Sequence, residues 1–278
     1  MGGITSATDI SGSLDAKNIV LGVLEKQLAI SDFVKLAVAV GVPELTATIP
    51  VQTVPDGDED LKEWEGSVVA GSDFTHVDFD LKKDRVKIGK SDESGYKSRA
   101  GDPLALQKSS SASRLAYILD KKFVAAVQTS PQTGAVVAVW NTGHPLADIG
   151  KAVATLKPFK ADFVIMSANV WAIYAGNADI TGSGNQGPGE KSGALTKVPG
   201  FNLDIYVSDL ITAKTVIVGA SGAPAVAYGY GPTKVRQQDV MDGGEIYQID
   251  VFRQMKAPIL KTSGSLNMAA YVLTGVIT

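Results

Sequence analysis

A glycine-rich segment that ends in a lysine and a serine is the strongest candidate for chemistry in this sequence. It reads GNQGPGEKS over residues 184–192. A phosphate-binding P-loop has the spacing Gly-x-x-x-x-Gly-Lys-Ser/Thr, because its backbone amides wrap the phosphates and its lysine reaches them. Gly184 and Gly189 are correctly separated, but Glu190 is inserted before Lys191, which displaces the lysine and brings a carboxylate against the phosphates. We interpret the segment as a surface loop and keep a nucleotide-binding enzyme as the lowest alternative.

The other residue types that carry chemistry are few and lie far apart. The two histidines, His76 and His144, lack the partners at defined positions that a catalytic triad or a histidine metal site needs. Ser183 and Ser221 have glycine neighbours but lie outside a Gly-x-Ser-x-Gly nucleophile elbow. The acidic run DGDED at 56–60 lacks the alternating carboxylates of a calcium loop, and there is no cysteine. The sequence therefore predicts no enzyme activity, no catalytic residue, no metal and no cofactor.

Composition indicates an ordinary globular protein. A chain of 278 residues with 45% hydrophobic content is long enough for one large or two small domains with a substantial core. The net charge of -3 gives none of the overall basicity that marks a nucleic-acid binder. No apolar run approaches the ~18 residues of a membrane span, and the first residues lack the basic and apolar parts of a signal peptide. We expect synthesis in the cytoplasm and no membrane partner.

The segment from 67 to 92 predicts an extended β-hairpin. Its strands are expected near 68–81 and 84–90, with the turn around 82–84. Apolar residues alternate with polar ones in the first strand: Phe74, Val77, Phe79 and Leu81. Cations crowd the second strand and the turn: Lys82, Lys83, Arg85, Lys87 and Lys90. A hairpin whose two faces are this polar is poorly stable alone, so we expect it to lie on its own domain or on a neighbouring subunit.

Helical and strand-like patterns alternate through the rest of the chain. Helical spacing, caps and prolines predict helices over 18–40, 103–129, 145–158 and 169–175, the last with Gly176 as its C-cap. Strand-like runs occur at 46–54, 135–140, 163–166, 203–207, 216–218, 225–228, 245–256 and 268–273. Strands in such number, with few helices, indicate the α+β class.

Two segments and the order of the elements carry a resemblance to a known family. The segment Trp64-Glu65-Gly66 leads into the extended run, a single long helix follows it, and ADFVIMSANVWAIYAG occupies 161–176. This combination resembles the major capsid proteins of tailed viruses with the Hong Kong 97 fold, which infect bacteria or archaea. The resemblance implies six regions: an N-terminal arm and helix over 1–40, a peripheral-domain strand region over 41–66, an extended hairpin loop over 67–101, a spine helix and peripheral domain over 102–139, an axial domain over 140–240, and peripheral return strands over 241–278.

The same resemblance implies a structural role. Such proteins assemble as hexamers and pentamers into an icosahedral shell that encloses double-stranded DNA, and their place is the virion capsid. The hairpin would lie over an adjacent subunit, and the interface residues expected from it are Trp64, Glu65, Phe74, Val77, Phe79, Arg85 and Lys87. Expected partners are further copies of the chain, separate scaffolding, portal or decoration proteins, and weakly held DNA.

A second shell protein stays open as an alternative. Encapsulins share the fold and the approximate length, but they form cargo-filled compartments and dock cargo on an N-terminal helix with basic and aromatic residues. Residues 18–36 are largely aliphatic, with Phe33 as their only aromatic residue, which favours a virus. Viral members often carry a long N-terminal scaffolding segment. Only a short arm precedes the pattern here, so we expect scaffolding from a separate protein or none.

Overall fold

The structure is a computed structural model. It describes Lys26 and residues 31–42, 45–52, 74–91, 103–130, 132–157, 159–181, 196–221, 226–240, 244–257, 260–262, 265–267 and 269–277. A short 3-10 helix covers Val34–Leu36. The α-helices are α1 (Pro103–Gln128), α2 (Pro145–Thr155), α3 (Ala168–Gly176) and α4 (Ala178–Thr181).

Fourteen strands are described in the same ranges. The first seven are β1 (Val38–Gly41), β2 (Thr46–Gln52), β3 (Phe74–Asp80), β4 (Lys82–Ser91), β5 (Thr133–Ala135), β6 (Phe163–Met166) and β7 (Lys197–Val198). The others are β8 (Leu203–Val207), β9 (Thr215–Gly219), β10 (Ala227–Val240), β11 (Gly244–Lys256), β12 (Leu260–Thr262), β13 (Ser265–Asn267) and β14 (Ala270–Thr274).

One sheet carries the long helix. Its strand order is β1-β10-β11-β4, with β1 parallel to β10 and the remaining pairs antiparallel. Alternate residues of β4 and β11 form one apolar face, which packs against Ala112 and Leu115 of α1 through Ile88, Ile249 and Val251. The period of two in the strands and the stripe on the helix thus meet in one core.

A second, six-stranded sheet holds most of the remaining core. Its order is β5-β14-β9-β6-β8-β7, and β6 lies at its centre with all four residues buried. Trp140, Ile149 and Tyr174 pack on one side of it together with Val164 and Val216. The other side belongs to a larger cluster that also includes α1, so the helix contributes to the cores of both sheets.

The long helix also anchors the segment before β1. The Phe33 ring stacks on Phe123 of α1 at 5.4 Å between centroids, and Phe123 in turn contacts Phe163 of β6. Ser31 donates its hydroxyl to the Asp120 carboxylate at 2.5 Å. Burial raises the pKa of Asp120, and this hydrogen bond opposes that shift.

Strands β2 and β3 form a separate antiparallel pair beside the four-stranded sheet. Gln52 and Phe74 are register partners at its open end, and residues 53–73 connect them. Val77 and Phe79 pack with Val42 and Ala227. A Cβ on Gly229 would lie 2.5 Å from the Phe79 ring, so only glycine at that position allows the ring to approach strand β10.

Several sequence predictions are confirmed. The fold is α+β, the long helix covers 103–128, and a helix opens at Pro145 as predicted. Strands occupy 46–52, 163–166, 203–207, 215–219, 244–256 and 270–274, close to their predicted positions. Local periodicity and proline positions were sufficient signals for these elements.

The pairing predicted for the hairpin at 67–90 is wrong. Strand β3 pairs with β2, whereas β4 pairs with β11, so the two predicted partners lie in different sheets. Both strands alternate polar and apolar residues, and that pattern identifies a strand without identifying its partner. The chain changes sheets at Leu81, between β3 and β4.

Smaller predictions are also corrected. Residues 38–41 form a strand rather than the end of the predicted helix over 18–40. The strand predicted over 135–140 is limited to 133–135, and the strand predicted over 225–228 extends to 240. The C-cap of α3 is Asn177, one residue beyond Gly176. The division into peripheral and axial domains stays a prediction. Strand β10 belongs to the region predicted as axial but joins the four-stranded sheet with β11 and β4. Strand β14 belongs to the region predicted as peripheral but joins the six-stranded sheet.

The burial of Phe79 leads to a stability prediction. Phe79→Ala should lower the free energy of unfolding of the unassembled subunit by about 3–5 kcal/mol, because it leaves a cavity in a packed core. Urea unfolding followed by tryptophan fluorescence measures the change. Val137→Ala is the matched control, since Val137 is 87% exposed and its truncation should cost less than about 0.5 kcal/mol. A loss at Phe79 as small as that of the control would contradict the core assignment.

Candidate functional site

The structure places the seven predicted interface residues in different surroundings. Trp64 and Glu65 lie outside the described residues, in the connection between β2 and β3. Phe74 is the first residue of β3, and only its backbone position is described. Val77 is 6% exposed and Phe79 is 2% exposed, both within a core of their own chain. The prediction that these two supply apolar contact to a neighbour is therefore corrected, since they are already packed inside the subunit.

Arg85 uses its charge within its own subunit. Its Nε donates to Asp250 Oδ1 at 2.6 Å and its Nη2 donates to Oδ2 at 3.2 Å, so the pair is bidentate. The hydrogen bond from Arg85 lowers the pKa of Asp250, against an opposing effect of burial. The stabilisation by this pair is therefore present above the ordinary pKa of an aspartate and is lost as the pH falls through the lowered pKa.

Lys87 lies on an open, strongly basic sheet face. The residues of β4 and β11 that point away from α1 include Arg85, Lys87 and Asp250, and β10 continues the same face with Lys234 and Arg236. Cross-strand register forms two rows, Lys234–Asp250–Arg85 and Arg236–Gln248–Lys87. The first row balances one carboxylate against two cations, and the second carries two cations. The side chains of Arg85, Lys87, Lys234 and Arg236 are all exposed, so this face is available to an acidic partner.

A cluster of buried charges lies on the opposite, helix-facing side of the same sheet. Arg253 of β11 is 0% exposed, and its Nε donates to Asp84 Oδ2 of β4 at 2.6 Å. Lys122 of α1 donates to the same carboxylate oxygen at 2.7 Å and to the backbone oxygen of Arg253 at 3.1 Å. Arg253 Nη2 also donates to the Leu115 backbone oxygen at 2.8 Å. Together these bonds tie the middle of α1 to strands β4 and β11.

The electrostatics of this cluster follow from burial. Desolvation lowers the pKa of Lys122, and the hydrogen bond to Asp84 opposes that shift. Burial likewise raises the pKa of Tyr228, whose hydroxyl is hydrogen-bonded to Arg253. Burying the charge of Arg253 without a carboxylate partner would strongly destabilise the fold, so the burial of Arg253 requires Asp84.

The sequence patterns do not predict this cluster, although one signal for it is present in the sequence. Arg253 continues the alternating face formed by Tyr247, Ile249 and Val251, which is apolar and therefore buried. A cation at such a position implies a carboxylate partner nearby. Asp84 begins the strand predicted over 84–90, and the predicted hairpin pairs that strand with 68–81 rather than with the strand of Arg253, so the sequence pattern does not bring the two residues together.

The residues considered for catalysis are not assembled into a site. His144 Nδ1 lies 2.8 Å from Asp179 Oδ2, and the His144 side chain is largely exposed. Ser221 donates its hydroxyl and its amide to the two oxygens of Asp162, which fixes the turn after β9. His76 is described only as a backbone position in β3, while Ser183 and the segments 56–60 and 184–192 lie outside the described residues. Within the described ranges, no three histidine or acidic residues converge on a metal position, and no helix is long and apolar enough to cross a membrane.

Comparison with solved structures identifies the fold. The chain superposes on the capsid of a native GTA particle with a TM-score of 0.64 and 11% identity, over 89% of this chain and 91% of that one. A structure from Microbacterium phage Oxtober96 gives 0.63 and 13% identity, over 88% and 90%. The holo-SrpI encapsulin complex from Synechococcus elongatus PCC 7942 gives 0.62 and 11% identity, over 88% and 86%. The fold is therefore the Hong Kong 97 fold of phage capsids and related encapsulins.

The sequence comparisons add no relative. No protein-family model matches the chain, and no curated protein matches it either. The likeness thus resides in the course of the backbone, over nearly nine tenths of the chain, rather than in the side chains.

The buried cluster leads to a second stability prediction. Asp84→Asn should lower the free energy of unfolding by about 3–5 kcal/mol, because it leaves the charges of Arg253 and Lys122 without their carboxylate. Asp204→Asn is the control: its pair with Lys197 is exposed on both sides and should contribute at most about 1 kcal/mol.

A double variant separates lost pairing from lost packing. Asp84→Asn combined with Arg253→Met should recover part of the loss, because the apolar chain removes the unpaired buried charge. Urea unfolding of the wild type, the single variants Asp84→Asn and Arg253→Met, and the double variant gives the comparison. Additive losses in the double variant would show that the two residues do not act as a pair.

Proposed function

We propose that the protein is a structural shell subunit that self-assembles into a closed icosahedral capsid around double-stranded DNA. The observation that carries this proposal is the likeness to a phage structure and to the capsid of a GTA particle, which extends over 88% and 89% of the chain. A structural role also agrees with the scattered arrangement of the candidate catalytic residues among the described residues.

The interface that we propose joins oppositely charged parts of two subunits. The connection at 53–73 carries six acidic residues and one lysine between positions 56 and 65, next to Trp64. The open sheet face presents Lys87, Lys234 and Arg236. Single exposed pairs contribute only about 0–1 kcal/mol, but their repetition around a closed shell favours one register over others. In this arrangement Trp64, Glu65 and Lys87 contact a neighbouring subunit. Arg85 fixes the geometry of the basic face through its bidentate pair with Asp250.

The contents that we propose are held by enclosure rather than by affinity. A net charge of -3 cannot neutralise a packed genome. Binding that depends on phosphate neutralisation is weak when few cations contact the backbone, and it falls further as salt rises. Scaffolding, portal or decoration proteins would be separate chains.

An encapsulin-like compartment is the second candidate, because an encapsulin superposes on the chain nearly as well as the capsids do. The surroundings of Phe33 favour the viral assignment. Phe33 is the aromatic residue of the N-terminal segment, and it is 2% exposed, stacked on Phe123 and in contact with Tyr206. A ring buried in this way cannot dock a cargo peptide. The lowest alternative, a nucleotide-binding enzyme that uses 184–192, predicts saturable nucleotide binding in a direct titration.

The first functional prediction concerns assembly. The purified chain, alone or with a scaffold, should form closed shells or isolated hexamers and pentamers, visible by negative-stain microscopy and light scattering. A variant in which a four-residue turn replaces 53–73 should remain folded, because Gln52 and Phe74 are opposite each other in a regular antiparallel pair. This variant should fail to close shells.

Point variants localise the effect. Lys87→Glu should impair closure, whereas Lys151→Glu, an equal charge change on the exposed side of α2, should not. A strict monomer over a wide range of concentration, salt and pH would overturn the shell assignment. Normal shells from the loop-replacement variant would overturn the proposed interface alone.

The second functional prediction concerns contents. Particles from the native source should hold double-stranded DNA, and free subunits should bind duplex DNA weakly near physiological salt. Nuclease protection and fluorescence anisotropy measure the two quantities. Particles filled with an enzyme and free of nucleic acid would assign the protein to the encapsulin alternative. Tight, salt-sensitive binding by isolated subunits would contradict retention by enclosure.

A further inference from the structure

A cationic pocket opens beside the buried charge cluster, between the second half of α1 and the end of β11. Its volume is about 490 Å³. Four of its lining residues are cations, one from β4, one from α1 and two from β11: Lys82, Lys122, Arg253 and Lys256. Alanines and Met255 form the apolar part of the wall. Three separate elements thus bring positive charge to one cavity.

The positive charge in this pocket exceeds the negative charge that the described contacts supply. Asp84 is shared, because it accepts hydrogen bonds from both Lys122 and Arg253 through the same oxygen atom. The described lining residues include no carboxylate. Four cations therefore surround a cavity next to one carboxylate, and like charges held this close repel each other.

The electrostatic surroundings of Lys122 also indicate an excess of positive charge in this pocket. Its pKa is lowered chiefly by desolvation, and the charges of Arg253 and Lys82 lower it further, against the favourable hydrogen bond to Asp84. A partly buried ammonium beside two further cations gains from a nearby anion. Binding of that anion would offset both the repulsion and the desolvation cost.

We propose that this pocket is a binding site for a phosphate group. Lysine ammoniums are point donors that suit a tetrahedral oxyanion, and Lys82 and Lys256 bring two of them to the pocket beside Lys122. The Arg253 guanidinium contributes charge from behind, since its Nε and Nη2 are held by Asp84 and Leu115. The phosphate is either free in solution or part of a nucleic-acid backbone, and the shared chemistry is the same. The site belongs to the single subunit, so it does not depend on shell assembly.

Inorganic phosphate titrated into the full-length, unassembled chain tests the site. The measurement is isothermal titration calorimetry in a phosphate-free buffer, with chloride adjusted to constant ionic strength. We expect saturable binding near one phosphate per chain. Lys82→Gln combined with Lys256→Gln should weaken it at least about tenfold, because two charged donors are removed. Lys151→Gln combined with Lys214→Gln removes the same charge from exposed positions outside this pocket and should leave the affinity unchanged.

A second arm identifies the source of the phosphate. A short duplex DNA that displaces inorganic phosphate from the wild type, but has no effect on residual binding to the Lys82/Lys256 variant, assigns the site to a nucleic-acid backbone. Absence of displacement assigns it to free phosphate. Non-saturable binding, or equal weakening in both double variants, would overturn the proposal, because it would show only general attraction to a basic surface. Light scattering of the same samples reports assembly separately, so a failure of the shell assignment is recognised independently.

Discussion

The structure depends on one buried charge cluster, in which Asp84 accepts hydrogen bonds from Arg253 and Lys122. Arg253 has no exposed surface, so its charge is stable only where a carboxylate meets it. That carboxylate comes from β4, while the second cation comes from α1. Three elements that are distant in sequence must therefore reach one place together. A buried ion pair gains little free energy compared with an apolar core, but its geometry is exacting, and here that geometry orients the long helix on the sheet.

Once α1 is oriented in this way, the two cores of the molecule are connected. The first half of the helix packs on the four-stranded sheet through Ala112 and Leu115. Its second half packs through Phe123 on β6 of the six-stranded sheet and on Phe33 from the segment before β1. The helix is therefore shared by both halves of the subunit. A subunit of this construction keeps a fixed relation between its two sheets at the places where the helix contacts them.

The distribution of polar groups agrees with a protein that works through its surfaces. One face of the four-stranded sheet is closed by α1, and its charges are neutralised internally except at the cationic pocket. The other face is covered at one end by β3, and beyond that end its cations are aligned in rows by strand register. Arg85 and Asp250 belong to this face, and their bidentate contact stiffens it without removing its net positive charge. Repeated contacts of this type select a register between identical subunits, which is a requirement for a closed shell.

The sequence by itself determined α1, α2 and α3, most strands, the α+β class and the resemblance to capsid proteins. Those features depend on local signals: a stripe at 3.6 residues along 103–128, proline at the start of a helix, and period-two alternation in the strands. Only the tertiary structure decided the strand partners, the burial of Val77 and Phe79, and the union of Asp84 with Arg253. Alternation says that a strand has a buried face, but it does not say what covers that face. Contacts between residues more than a hundred positions apart determine which element packs on that face, and a local sequence pattern does not encode them.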